Sequence, residues 1–197
     1  VFGRHFNRNH FNGNHPIYSK DMAEKKTTSV GLKKALFGEV NPKGGMPTEM
    51  KQLARTFKGT ASFTTEADTV TNFYSEEEPT VPVETVSSET GLKQVKLNFI
   101  EWDNDVLVEV FGGSIAKAQE VTIEGKKYTV DKFKAPRDVV QIEKALRVLT
   151  RYNVVIDIPR AKILARFIWN LAADQIAQIE ITATAMSSAS EEDGAYE

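Results

Sequence analysis

The sequence predicts a mainly β protein, an antiparallel β-sandwich or barrel with one flanking α-helix. Three observations lead to this fold class. Apolar and polar residues alternate over several short stretches, which is typical of strands with one buried face. A stretch of this kind, 120–130, contains Gly125 at its centre and predicts a hairpin. One segment, 103–112, combines a helix start signal, an apolar stripe and a helix stop signal.

The first predicted strands lie in the middle of the chain. Thr and aromatic residues dominate 59–74, which predicts one or two strands. The segment 93–99 alternates cleanly, and its inward-facing residues are Val95, Leu97 and Phe99. In the hairpin, Val121 and Ile123 precede the turn, and Tyr128 and Val130 follow it.

Three further strands are predicted towards the carboxyl terminus. The segment 153–159 alternates, and we expect Pro159 to end or bend it. The segments 160–169 and 178–185 show the same alternation of apolar and polar residues. Their inward-facing residues, with those of 153–159, are Val154, Ile156, Ile158, Ala161, Ile163, Ala165, Phe167, Ile179 and Ile181.

The predicted helix begins after Asp103, whose carboxylate can cap the first free amides. Gly112 supplies the left-handed exit. A shorter helix is predicted at 170–177. The apolar stripe of the first helix consists of Val106, Leu107, Val110 and Phe111.

Two segments, 49–57 and 139–151, have apolar residues at helical spacing, which favours helix in both. The family resemblance described below favours extended structure instead. Both alternatives stay open from the sequence.

The composition is that of an ordinary globular protein. The 197 residues are 41% hydrophobic and 26% charged, with a formal net charge of −2. This charge gives no overall attraction to nucleic acid or anionic membrane. The absence of cysteine excludes disulfides, thiolate metal sites and a cysteine nucleophile. No apolar run approaches the ~18 residues of a membrane span, and we expect synthesis in the cytoplasm.

Catalytic signatures are not found, and we predict no enzyme, no cofactor and no metal site. The three histidines, His5, His10 and His15, are spaced five apart, which matches neither a helix face nor one side of a strand. The adjacent glycines at 44–45 lack the order of a phosphate-binding loop. A pair of catalytic carboxylates near Glu76 is conceivable, but Pro79 and Pro82 indicate an exposed loop.

An acidic stretch is the strongest local feature. Between 66 and 89 there are seven acidic residues and no Lys or Arg. They are Glu66, Asp68, Glu76, Glu77, Glu78, Glu84 and Glu89.

The sequence divides into four parts. Residues 1–21 form an extension that is either not native or ordered only by neighbours. Residues 22–48 form an amino-terminal arm, 49–186 a β domain, and 187–197 a flexible acidic tail.

The order of the segments resembles the major tail tube proteins of long-tailed bacteriophages. The resemblance lies in 44–86, from GGMPTEM to VETV, in 95–114, VKLNFIEWDNDVLVEVFGGS, and in VIDIPRAKILARF and IEITATAM. The resemblance covers roughly 30–186. It depends on the order of these segments and on their residue patterns, without an invariant signature. These proteins are related to the tube-forming subunits of contractile injection and type VI secretion systems.

The resemblance implies a structural subunit of the virion tail, made in the host cytoplasm. Such subunits form hexameric rings that stack into a tube through which DNA passes without specific binding. The implied partners are copies of the chain, the tape-measure and terminator proteins and, where the tail is contractile, a sheath. The resemblance implies no contact with a membrane. The alternative function is a β-sandwich binding module, such as a virion or cell-surface adhesin.

Two roles are open for the acidic stretch. Acidic groups facing the lumen would repel DNA phosphate. Alternatively, the stretch reaches the next ring and meets basic groups there, for which the candidates are Lys33, Lys34 and Arg160. We favour the contact between rings, because long loops typically mediate contacts whereas strands typically line a lumen.

Overall fold

The computed structural model describes residues 27–197. The predicted extension 1–21, its three histidines and the start of the arm at 22–26 lie outside the described residues. The strands are β1 (Leu32–Gly38), β2 (Ser62–Thr65), β3 (Thr69–Phe73), β4 (Glu84–Glu89), β5 (Lys93–Phe99), β6 (Ser114–Ile123), β7 (Lys126–Lys134), β8 (Ile142–Thr150), β9 (Val155–Ile168) and β10 (Gln178–Ala185). The helix is α1 (Asn104–Phe111).

Six strands form one antiparallel sheet in the order β1-β8-β9-β10-β5-β2, curled into a half-barrel. Two separate ribbons, β3–β4 and β6–β7, complete the structure. The predicted fold class is therefore confirmed: the protein is mainly β and antiparallel, with one short helix.

One face of the six-stranded sheet carries the core. Phe37 and Phe99 are fully buried and meet edge to face, with ring centroids 6.0 Å apart. Helix α1 covers part of this core with Val106, Leu107 and Val110. The predicted cap is confirmed, because the amide of Val106 donates to Asp103 Oδ1 at 2.8 Å. Gly112 ends the helix with a φ of 74°.

The alternating segments form β5, β9 and β10, and the predicted hairpin forms β6 and β7. The expectation that Pro159 ends its strand is wrong, because β9 continues to Ile168. Lys144 pairs with Ala161 and Leu146 with Ile158, so β9 has one residue more than β8 between these pairs. This bulge accommodates a residue that has no amide hydrogen to donate.

The two segments for which helix and extended structure were open, 49–57 and 139–151, are both extended, and the short helix predicted at 170–177 is wrong. Most of 139–151 is strand β8, whose apolar residues do not alternate cleanly because Lys144, Ala145 and Leu146 are buried in succession beside the bulge in β9. The segment 49–57 is irregular and extended, with isolated bridges from Lys51 to Phe37 and from Thr56 to Phe99. The segment 170–177 forms a turn in place of the short helix.

Both ends of the described chain contact the sheet. Within the predicted arm, 32–38 is edge strand β1. The tail was expected to be solvated, but Asp157 and Glu197 exchange two main-chain hydrogen bonds of 2.9 Å. The ring of Tyr196 also packs edge to face on Phe63, at 5.1 Å.

Candidate functional site

The predicted acidic stretch forms a projecting ribbon. We call residues 66–91 the acidic ribbon; it contains β3, β4 and their connecting loop and carries seven negative charges with no positive one. All five residues of β3 and all six of β4 are exposed. The ribbon therefore contributes no strand residue to the core.

Two hydrogen bonds close the base of the acidic ribbon, next to the sheet. The amide of Glu66 donates to the carbonyl oxygen of Leu92 at 2.8 Å. The amide of Gly91 donates to Asp68 Oδ1 at 2.9 Å. These bonds place the ribbon where the chain leaves β2 and enters β5.

Apolar side chains are also exposed on the acidic ribbon, at 47–70% of their surface. They are Val70, Phe73, Tyr74, Val81, Val83 and Val86. An isolated two-stranded ribbon is marginally stable in water. A ribbon with this much uncovered apolar surface is typical of a segment that packs against a partner.

The seven carboxylates of the acidic ribbon form no ion pair within residues 27–197. Asp68 accepts the Gly91 amide, and Glu84 accepts the amide of Thr85 at 3.2 Å. The three consecutive glutamates, 76–78, are exposed in the loop between the strands. Their charge is thus available to groups outside the chain.

A cleft on the same chain has the opposite charge. We call it the basic cleft; its volume is about 600 Å³, and residues 31–35, 52–61 and Arg151 supply its lining. None of the residues that line it is acidic. Its basic members are Lys33, Lys34, Arg55, Lys58 and Arg151.

One of these basic groups already has a carboxylate partner. Arg55 binds Glu101 through two hydrogen bonds of 2.6 and 2.5 Å. These hydrogen bonds raise the pKa of the Arg55 guanidinium and lower that of the Glu101 carboxyl. The other four cations of the cleft form no ion pair in the part of the chain that the structure describes.

The curl of the sheet creates the basic cleft. Edge strand β1 supplies Leu32–Ala35, and the segment that leads into the other edge strand, β2, supplies 52–61. Residues 51–57 cross from one edge to the other, because Lys51 bridges β1 and Thr56 bridges β5. Lys33, Lys58 and Arg151 come from distant parts of the sequence and line the same cleft.

Arg160, the third predicted basic contact, is not part of the basic cleft. Its guanidinium donates to both carboxylate oxygens of Glu143, at 2.8 and 3.0 Å. The hydrogen bond from Arg160 lowers the pKa of Glu143. Lys33 and Lys34 thus both line the basic cleft, whereas Arg160 is paired within the chain.

The sheet face opposite the core has a positive excess. Its three carboxylates each bind an arginine, in the pairs Glu143–Arg160, Asp157–Arg147 and Glu180–Arg166. Lys96 and Lys162 project from the same face by strand register. This face would attract DNA phosphate, so it lacks the acidic character expected of a DNA-repelling lining.

An aromatic cluster beside the end of β9 is partly exposed. Trp102 lies 5.9 Å from Trp169 and 5.8 Å from Phe167, and Phe111 stacks on Phe167 at 4.8 Å. Trp169 is 59% exposed. Its position at the end of β9 gave no signal of this exposure in the sequence.

Residues 27–197 contain no group of three or more His, Asp or Glu side chains arranged to hold a metal. Among the same residues, no helix combines the length and apolar character needed to cross a membrane. No protein-family model matches the sequence, and comparison with curated proteins finds no significant match.

Proposed function

We propose that this protein is a structural subunit that assembles with copies of itself, as the tube protein of a phage tail. The observation that carries the proposal is the acidic ribbon. It has exposed apolar side chains and unpaired carboxylates, and it contains no Lys or Arg that could neutralise them. A segment of this kind gains stability when a partner covers it.

The two sheet edges also support self-assembly. Strands β1 and β2 end the six-stranded sheet, and free edges readily pair with other chains. A closed ring of subunits satisfies such edges without leaving one unpaired. The hexameric ring, the stacking into tubes and the passage of DNA follow from the resemblance in segment order to tail tube proteins.

Electron microscopy of the purified protein tests this proposal. Negative staining across a concentration series should show rings or hollow fibres, and sedimentation velocity should show matching large species. Discrete particles of a single subunit at every concentration would exclude a tube-forming role.

The second candidate function is a binding module, and the aromatic cluster favours it. The exposed ring of Trp169, just after β9, is suited to stacking against a flat apolar ligand face, including that of a sugar. A glycan array and the W169A variant test this candidate. Binding that disappears with W169A, in a protein that stays a single subunit, would favour the module over the tube.

A further inference from the structure

We propose that the basic cleft of one subunit receives the acidic ribbon of a second copy of the chain. The inference rests on the proposed function, since it identifies the partner of the ribbon in the assembly. The occupant is the loop containing Glu76, Glu77 and Glu78, together with the apolar residues beside it.

Charge complementarity is the first argument. The acidic ribbon carries seven acidic residues and no basic one, and the cleft lining carries five basic residues and no acidic one. Subtracting Arg55, which Glu101 already neutralises, leaves four cations for a partner. Complementary potentials of this kind fix the register of an interface and accelerate its formation.

The charges on both sides are available. Neither the seven carboxylates nor Lys33, Lys34, Lys58 and Arg151 form an ion pair within residues 27–197. The carboxylates of the ribbon and the cations of the cleft do not meet within one subunit, but a second subunit can bring them together.

Apolar surface is the second argument. Phe57 lines the cleft and is partly exposed, and Val81 and Val83 are exposed beside the glutamates of the ribbon loop. A carboxylate cluster flanked by apolar residues matches a cleft whose lining combines lysines with an aromatic residue. Burial of the apolar groups would supply affinity that exposed ion pairs alone do not provide.

The contact is head to tail, because the ribbon and the cleft are different surfaces. Each subunit offers one ribbon and one cleft, so every added copy leaves one of each for the next. A heterologous interface of this type produces closed rings or open fibres, depending on the rotation between copies. It therefore generates continued assembly and does not stop at a dimer.

Charge exchange between two variants tests the inference. The first variant, E76K/E77K/E78K, has a basic ribbon loop, and the second, K33E/K34E/K58E, has an acidic cleft. We expect neither to assemble alone. An equimolar mixture should assemble, because the basic loop of the first fits the acidic cleft of the second and the native ribbon of the second fits the native cleft of the first.

A chain that carries all six substitutions should also assemble by itself. Sedimentation velocity and negative-stain images provide the readout. The matched control is K117E/K126E/K132E, which changes charge by the same amount on β6–β7. It keeps the native ribbon and the native cleft, so it should assemble alone at the same concentration as the native protein. Circular dichroism verifies the fold of each variant.

Should a reversed variant lose its fold, E76Q/E77Q/E78Q and K33Q/K34Q/K58Q replace the pair. Each should raise the protein concentration needed for assembly by about tenfold. Unchanged thresholds in both neutral variants would overturn the inference.

The outcomes separate the two proposals. If the native protein never assembles, the proposed function fails. If it assembles and the reversed variants assemble equally well, or if neither the mixture nor the six-substitution chain recovers assembly, this inference alone is overturned. Binding of a DNA oligonucleotide that K33E/K34E/K58E abolishes, with assembly unchanged, would assign the cleft to phosphate and overturn it as well.

Discussion

Gly91 lies directly against the main-chain carbonyl of Glu66, where the acidic ribbon joins the sheet. A Cβ built on Gly91 would come within 2.1 Å of that carbonyl oxygen. The two strands of the ribbon thus converge at a point where a side chain cannot fit without a main-chain shift. The geometry of the ribbon depends on this single close approach.

We expect G91A to displace the ribbon while leaving the sheet folded. Overpacking of this kind costs about 1–3 kcal/mol, and the strain falls on the ribbon base. Limited proteolysis at 75–83 should become faster, and assembly should weaken. T90A, a change at the exposed neighbouring residue, serves as the control. Equal proteolysis rates in G91A and the native protein would show that the close approach does not hold the ribbon.

A second prediction concerns Lys144, which is 9% exposed and binds the carboxylates of Glu39 and Glu109. Desolvation raises the pKa of Glu109, but hydrogen bonds from Lys144 and Lys51 outweigh it, and the net pKa lies below the ordinary value of 4.5. The ionised carboxylate therefore stabilises the fold fully above pH 4.5, and this contribution is lost as pH falls through the lowered pKa.

K144M should reduce the free energy of unfolding at pH 7 by about 1–3 kcal/mol. The difference from the native protein should shrink as Glu109 becomes protonated. Urea titrations at pH 7 and at pH 3 measure both values. K127M removes an exposed pair with Glu120 and should have little effect. A K144M deficit that is equally large at pH 3 would contradict the role given to ionised Glu109.

A third prediction compares two phenylalanines. Phe99 is fully buried against Phe37, whereas Phe111 is half-buried at the end of α1 and stacks on Phe167. F99A should cost about 3–5 kcal/mol, because it leaves a cavity in the centre of the core. F111A should cost less, since part of its ring already contacts solvent. Equal losses in thermal or urea unfolding would show that α1 closes the core more completely than its exposure indicates.

A fourth prediction separates the two roles of the acidic ribbon by salt. If the ribbon contacts basic groups of a neighbour, tubes should shorten as salt rises, because the screening length falls from about 10 Å at 0.1 M to about 3 Å at 1 M. E76Q/E77Q/E78Q should shorten them too.

If the glutamates instead line a lumen, salt should leave stacking unchanged or improve it by relieving repulsion. The triple Gln variant would then keep its tubes and slow DNA ejection. Tube lengths from electron micrographs distinguish the cases. Should neither salt nor the substitutions alter length or ejection, the acidic ribbon has neither role.

The sequence predicted β5 and β10 well, because each has one buried and one polar face and alternates strictly. It left helix and strand open for β8, where Lys144, Ala145 and Leu146 are buried in succession beside a bulge in β9. A local irregularity of this kind breaks the two-residue period. The helix α1 was predicted correctly because Asp103 and Gly112 mark its ends by local hydrogen bonding and backbone conformation.

The candidate site was half predictable. The acidic ribbon is continuous in the sequence, so its charge is visible without a structure. The basic cleft is not, because Lys33, Lys58 and Arg151 are far apart along the chain and meet only through the curl of the sheet. Lys33 and Lys34 were found by charge alone, and the same criterion selected Arg160, whose partner Glu143 depends on strand register.

The long strand β9 has a consequence for how the molecule opens. It pairs with β8 over Val155–Ile163 and with β10 over Ala161–Ile168, so the two ladders overlap by a few residues in the middle. Neither half of the sheet can separate without disrupting a strand that the other half shares. Hydrogen exchange in β8 and β10 should therefore proceed through one common opening reaction, with similar protection factors and the slowest amides in 161–163.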